Sequence, residues 1–197
     1  MEMESRSSVD PKMEEPQKHA LGRDWDSFKN FFKTAGEPRD LIQSFNLGRD
    51  TAIHVAARSS DDSGLVRELL DMLPEDSCRW RALREGNAHR NTLLHQVVFC
   101  KQVNMVDAVV EYEMERKLKQ DRDENLLELL NDLGETPVYR AAKYGRLSIL
   151  KRMERYVDDM QKHFYRDSDF TSILHIAIIG QHFDVAVWLM TKKGIRK

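Results

Sequence analysis

Apolar residues recur along this chain at steps of three and four, with charged residues between them. In "RLSILKRMERYVDDM" one helical face carries Leu147, Leu150, Met153, Val157 and Met160. Comparable amphipathic runs occupy 64–73, 104–118 and 182–190. The pattern therefore predicts four amphipathic helices, each with one face against a core.

Each amphipathic run follows a shorter apolar run that opens on a hydroxyl residue. Aligned on that residue, the shorter runs are "TAIHVAARSS" from Thr51, "TLLHQVVFCK" from Thr92, "TPVYRAAKYG" from Thr136 and "SILHIAIIGQ" from Ser172. Four copies in one frame indicate a repeat architecture in which each copy is a helix pair.

The third copy carries the most specific motif. The ankyrin pattern G-x-T-P-L-H-x-A-A is matched there, with Tyr139 in place of the histidine, by Gly134, Thr136, Pro137, Ala141, Ala142 and, after the helix, Gly145. The chain resembles, more narrowly, the plant ankyrin-repeat family whose full-length members carry a C-terminal membrane-spanning PGG domain. "ALGRDWDSFKNFF" is similar to that family's opening half-repeat, and "SILHIAIIGQHFDVAVWL" to its later repeats. The PGG domain itself is absent from this sequence.

The resemblance implies an all-α ankyrin-repeat solenoid of helix–turn–helix pairs with long inter-repeat loops. The intervals between copies exceed the ankyrin period of about 33 residues, and we expect the extra residues to form loops at 74–91 and 119–135, where "ENLLELL" could add a helical turn. The expected organisation is a disordered tail over 1–19, an N-terminal half-repeat over 20–47, about four repeats over 48–192 and a basic tail over 193–197. The glycine that ankyrin repeats favour after the first helix is replaced by Ser60, Lys101 and Gln181, so the turns of those copies are less well defined.

Three histidines, His54, His95 and His175, each follow the hydroxyl residue of their copy by three positions. At the first turn of a helix, the hydroxyl can accept from free backbone N–H groups and the imidazole can bridge neighbouring backbone groups. A zinc site or general base is the functional alternative, but residues of separate repeats do not converge on one ion. We therefore expect a structural role for Thr51, His54, Thr92, His95, Thr136, Tyr139, Ser172 and His175.

The composition of the chain argues against several classes of function. Lys and Arg number 31 against 33 Asp and Glu, interspersed along most of the chain, so there is no basic footprint for nucleic acid. Two distant cysteines, Cys78 and Cys100, and no N-terminal apolar segment predict a reduced, cytoplasmic setting, and no apolar run is long enough to span a membrane. No catalytic, phosphate-binding or metal-binding motif occurs, so we expect neither an enzyme nor a cofactor.

A stack of helix pairs has a concave side on which exposed residues can bind protein. In the repeat frame these positions are Arg58, Gln96, Phe99, Arg140, Lys143, Tyr144, Ile176 and Ile179, together with Ser59 and Cys100. Phe99, Arg140 and Tyr144 are the expected anchors because aromatic residues and Arg dominate interface hot spots. Packing of Phe99 and Ile176 against the inserted loops is an equally good interpretation.

The expected function is a non-enzymatic interaction scaffold or adaptor, which the resemblance connects with signalling such as defence or stress responses. The alternative is a truncated cytosolic regulatory portion of a membrane-anchored ankyrin/PGG protein. Self-association through an uncapped C-terminal repeat is also expected, through an apolar side built from Ile173, Leu174, Ile178, Val185, Trp188 and Met190.

Overall fold

The computed structural model describes residues 10–116 and 125–192. Within those ranges the chain forms helices and turns with one isolated β-bridge and no strand, so the expected all-α class is confirmed. The α-helices are α1 (Glu14–Gly22), α2 (Trp25–Thr34), α3 (Ala52–Ser59), α4 (Ser63–Asp71), α5 (Asp76–Arg84), α6 (Leu93–Val97), α7 (Asn104–Arg116), α8 (Pro137–Lys143), α9 (Leu147–Glu154), α10 (Ile173–Ile179) and α11 (Phe183–Met190). Three 3-10 helices span Pro11–Met13, Pro38–Ile42 and Met160–His163.

The helices form two stacked layers. Each copy contributes a first helix and a second helix that pack together: α3 with α4, α6 with α7, α8 with α9 and α10 with α11. The first helices α3, α6, α8 and α10 contact one another in chain order, and the second helices α4, α7 and α9 do the same. One continuous apolar core runs between the layers, because each helix turns its apolar face toward both its partner and its neighbours.

The N-terminal segment differs from the expected disordered tail. Residues 11–19 are helical, Met13 is fully buried, and α1 packs on α2, so the described part of the chain opens with a complete helix pair rather than a half-repeat. Asp10 caps the first turn by accepting from the Lys12 N–H at 3.0 Å. Pro16 is tolerated because it lies in the first turn of α1, where a backbone N–H has no partner within the helix. Residues 1–9 and the basic tail at 193–197 lie outside the described residues.

The first insertion also differs, because 76–84 folds as α5 where we expected a loop. Only Ala82 and Leu83 of this helix are buried, which is too few apolar residues to show a period in the sequence. Its Arg84 forms a buried ion pair with Glu113 of α7. In the second insertion, residues 125–128 make one hydrogen-bonded turn, and residues 117–124 lie outside the described part of the chain.

Candidate protein-binding face and the turns that position it

The hydroxyl and histidine residues build a hydrogen-bonded turn at the start of the first helices. The Thr51 hydroxyl accepts from the His54 N–H at 3.3 Å, and the Thr51 N–H donates to His54 Nδ1 at 3.3 Å. Thr92 donates to His95 Nδ1 in the same way, at 3.2 Å. Each imidazole therefore completes a capping box, with the ring in the place of the usual Glu or Gln.

His95 also joins one copy to the next. Because Nδ1 accepts from the backbone, Nε2 carries the ring proton, and it lies 2.9 Å from the carbonyl oxygen of Glu135 in the following turn. Burial lowers the pKa of His95 to about 4, and burial lowers the pKa of His54 to about 4 as well. Both rings are neutral at pH 7, and Nδ1 of each accepts from a backbone N–H of its own turn.

The third copy has Tyr139 where the others have histidine, yet an imidazole is still present. Thr136 Oγ1 accepts from the Tyr139 N–H at 3.1 Å, and Nδ1 of His163 lies 3.0 Å from the same hydroxyl. His163 comes from the 3-10 helix ahead of the fourth copy and is buried, which lowers its pKa to about 4. The repeat frame does not reveal His163, because it lies in an insertion.

The residue two positions before each hydroxyl is left-handed. Its φ is 56° at Arg49, 55° at Arg90, 69° at Gly134 and 56° at Phe170. A positive φ favours glycine, so only the third copy has the expected residue type. All four turns therefore share the left-handed backbone conformation, although only the third copy has the glycine that indicates it in the sequence.

Neighbouring turns are hydrogen-bonded to one another through the backbone. Ala88 N–H donates to the Gly48 carbonyl at 2.9 Å, and Asp132 N–H donates to the His89 carbonyl at 3.1 Å. Between the third and fourth turns, Asp167 N–H donates to the carbonyl of Gly134 at 3.0 Å. These bonds hold the starts of the first helices in line and leave one side of those helices free. We call this side, on α3, α6, α8 and α10, the first-helix face.

Two residues expected on this face are buried instead. The Gln96 side chain is 3% exposed and donates to Asp50 Oδ1 at 3.1 Å, because the buried carboxylate of the preceding turn needs an amide donor. Asn87 donates to the same oxygen at 2.7 Å. Cys100 is also buried, with its sulfur 3.6 Å from the Ser60 carbonyl. Neither Gln96 nor Cys100 is therefore exposed to a partner on this face.

Arg140 is half-buried, not solvent-exposed as expected. Its guanidinium lies 5.1 Å from the Phe99 ring centroid and 5.7 Å from that of Tyr144, and it donates to the side-chain oxygen of Asn91. Burial lowers the pKa of Arg140. The Phe99 and Tyr144 rings meet edge to face at 4.9 Å, so Phe99 packs on α8 rather than only on an inserted loop.

Lys143 is occupied within the chain. Its ammonium lies 2.6 Å from a carboxylate oxygen of Glu135, whose side chain is only 1% exposed. Asn131 donates to the other oxygen of that carboxylate at 3.2 Å. Lys143 thus neutralises a buried charge, and its removal would destabilise the third turn.

The remaining predicted residues divide into two groups. Arg58 and Tyr144 are exposed beside the half-buried Phe99 and Arg140, and Arg58 is close enough to lower the pKa of Arg140. Ile179 is 71% exposed on α10 and Ile176 is half-buried, both further along the stack. The structure therefore brings together Arg58, Phe99, Arg140 and Tyr144 but leaves the two isoleucines apart.

A cavity of about 250 Å³ adjoins this cluster. It lies between α1 and α3, with Arg58 and Leu21 at its edge and apolar walls from Ala20, Phe45 and Val55. Sequence reasoning missed the cavity because it assigned no helix to residues 14–19.

The C-terminal end of the stack has a second exposed apolar surface, which we call the end face. Ile178, Phe183 and Val187 are 46%, 62% and 64% exposed. Ile173 and Val185, which we expected on it, are buried in the core, and Trp188 is half-buried with the Lys192 ammonium 4.4 Å from its ring centroid.

Within 10–116 and 125–192, no group of three or more His, Cys, Asp or Glu side chains is placed to hold a metal ion. In the same ranges, no helix combines the length and the apolar composition needed to cross a bilayer. In sequence comparisons, no protein-family model and no curated protein matches this chain.

Proposed function

We propose that the chain is a non-enzymatic protein-interaction scaffold built as an ankyrin-type solenoid. The observation that carries the proposal is the ladder of four left-handed turns, each followed by a helix pair and each hydrogen-bonded to the next. Such a stack holds a surface rigid while its exposed residues vary, which is the arrangement that repeat proteins use to bind other proteins. An adaptor role in signalling, such as defence or stress responses, is the biological setting we favour from the resemblance.

We also propose that the protein is located in the cytoplasm. Cys78 and Cys100 are both free thiols, which suits a reducing compartment.

The experiment is quantitative affinity capture with the whole chain as bait. We expect a set of proteins that is retained by wild type and by Arg155→Gln, an exposed arginine next to α9 in the second-helix layer, but lost with Arg58→Glu or Tyr144→Ala. Capture that is the same for all four baits would contradict binding through the first-helix face. Thermal unfolding of each variant separates lost binding from lost folding.

A second candidate is the cytosolic regulatory portion of a membrane-anchored ankyrin/PGG protein. The end face supports it, because Leu174 is only half-buried and Ile178 is exposed, at positions that the following copy covers elsewhere in the stack. A transcript that continues past Lys197 into apolar spans would favour this candidate. Its absence from the native transcripts would remove it.

We also propose that the end face of one molecule pairs with the end face of another molecule of the same chain. The helix α10 has no charged residue and α11 has only Asp184, so little repulsion opposes an isologous contact between two identical apolar surfaces. Val187→Arg should then shift a concentration-dependent dimer to monomer in sedimentation velocity, whereas Lys151→Gln in the second-helix layer should not. A wild-type chain that stays monomeric at high micromolar concentration would refute the contact.

A further inference from the structure

Two guanidinium groups on the first-helix face lack a carboxylate partner. Arg58 makes no ion pair or hydrogen bond with any residue the structure describes, and Arg140 donates to the neutral amide of Asn91. Arg23 and Arg67, by comparison, each pair with a carboxylate. The first-helix face therefore presents positive charge that the described part of the chain does not neutralise.

The Arg140 guanidinium is held in a fixed position before any partner arrives. The rings of Phe99 and Tyr144 flank it, and the Asn91 side chain accepts one of its hydrogen bonds. A planar guanidinium fixed in this way loses little conformational freedom when it binds a carboxylate. Tyr144, which is 41% exposed, adds an aromatic surface beside it.

The cavity between α1 and α3 opens next to Arg58. Its volume of about 250 Å³ is smaller than the roughly 300–1,000 Å³ typical of small-molecule sites, so it suits one large side chain better than a cofactor. Leu21 at its edge is 86% exposed, and Phe45 and Val55 form apolar walls. Asp50 also lines it, but that carboxylate is buried and already accepts from the amides of neighbouring turns.

We propose that the first-helix face binds an acidic segment of a partner protein, which inserts one large apolar side chain between α1 and α3 and sets carboxylates against Arg58 and Arg140. This inference rests on the protein-binding function proposed above and specifies the chemistry of the partner. Charge complementarity supports an acidic partner because Arg58 lines the cavity and Arg140, whose pKa Arg58 lowers, lies near it. Nucleic acid fits less well, because the next first helix offers Ile176 and Ile179 in place of further cations.

The test uses short random peptides displayed on phage and selected on the immobilised whole chain. We expect enrichment of peptides that combine Asp or Glu with Leu, Phe or Trp. A synthetic peptide of the enriched sequence, measured by fluorescence anisotropy, should bind about tenfold more weakly to Arg58→Glu, and more weakly as salt rises. Val55→Trp, which fills the cavity, should also weaken binding, whereas Arg155→Gln should not.

The outcomes separate this inference from the function on which it rests. Enriched peptides that lack acidic residues but still lose affinity with Val55→Trp would overturn the acidic partner and leave protein binding by this face intact. Peptides whose affinity is unchanged by Arg58→Glu and Val55→Trp, or no enrichment at all, would count against both. Circular dichroism melts of both variants establish that each is folded before binding is compared.

Discussion

The second and fourth copies carry the same residue pair in different surroundings. Leu94 and His95 of the second copy are fully buried, whereas Leu174 is half-buried and His175 is exposed. His175 still forms its own turn, with its N–H donating to the Ser172 hydroxyl at 3.1 Å. The difference arises because α8 and its turn cover the second copy, while no described helix covers the fourth. The local turn is thus encoded within a copy, but its contribution to stability depends on the next copy.

The leucine pair should give the largest contrast. Leu94→Ala removes a fully buried side chain and should lower the free energy of unfolding by about 3 kcal/mol, whereas Leu174→Ala, half-exposed, should lower it by about 1 kcal/mol. Urea unfolding followed by circular dichroism measures both. Equal losses would mean that the end face is covered in solution.

The buried His95 should make the stability of the chain sensitive to acid. The pKa of His95 is about 4 in the folded chain and about 6.5 in the unfolded chain. Between pH 4 and pH 6.5 the ring is therefore protonated in the unfolded chain but neutral in the folded chain. Stability from this ring is complete above pH 6.5 and is lost as the pH falls toward 4, by about 3 kcal/mol. His95→Gln should flatten this part of the stability profile. A profile unchanged by His95→Gln would contradict the burial of the neutral ring.

The sequence predicted the repeats wherever the signal lay within one copy. Thr51 with His54 and Thr92 with His95 are local pairs, and their spacing alone indicated the turn. The contacts that the sequence could not indicate join distant segments. His163, which lies in an insertion, contacts the Thr136 hydroxyl of the third turn. The Arg140 guanidinium of the third copy packs on the ring of Phe99, which belongs to the second copy.

Burial on the candidate face was misjudged for a related reason. Gln96 lies at an outward position of the frame, but the Asp50 carboxylate of the preceding turn draws it inward. The helix α5 was missed because its Arg84 is stabilised by an ion pair with Glu113 of α7, a distant contact that leaves no period in the local sequence.

The turns offer the smallest contrast, between Gly134 and Phe170. Both have a positive φ, so Phe170→Gly should stabilise the chain by up to about 1 kcal/mol through relief of strain. Gly134→Ala should destabilise it, because an added Cβ would lie 2.8 Å from the Ser168 nitrogen. Differential scanning calorimetry of the two variants checks the signs. Destabilisation by Phe170→Gly would show that its exposed ring makes a contact that outweighs the strain.

The central proposal, that the chain binds protein through its first-helix face, is tested most directly by site-specific photo-crosslinking. The photoreactive residue p-benzoylphenylalanine would replace Tyr144 on that face or Arg155 beside α9, in extracts of the native tissue. The account predicts defined protein adducts from position 144, lost when Arg58→Glu is added, and none of comparable yield from position 155. Adducts that form equally at both positions, or only at 155, would contradict it.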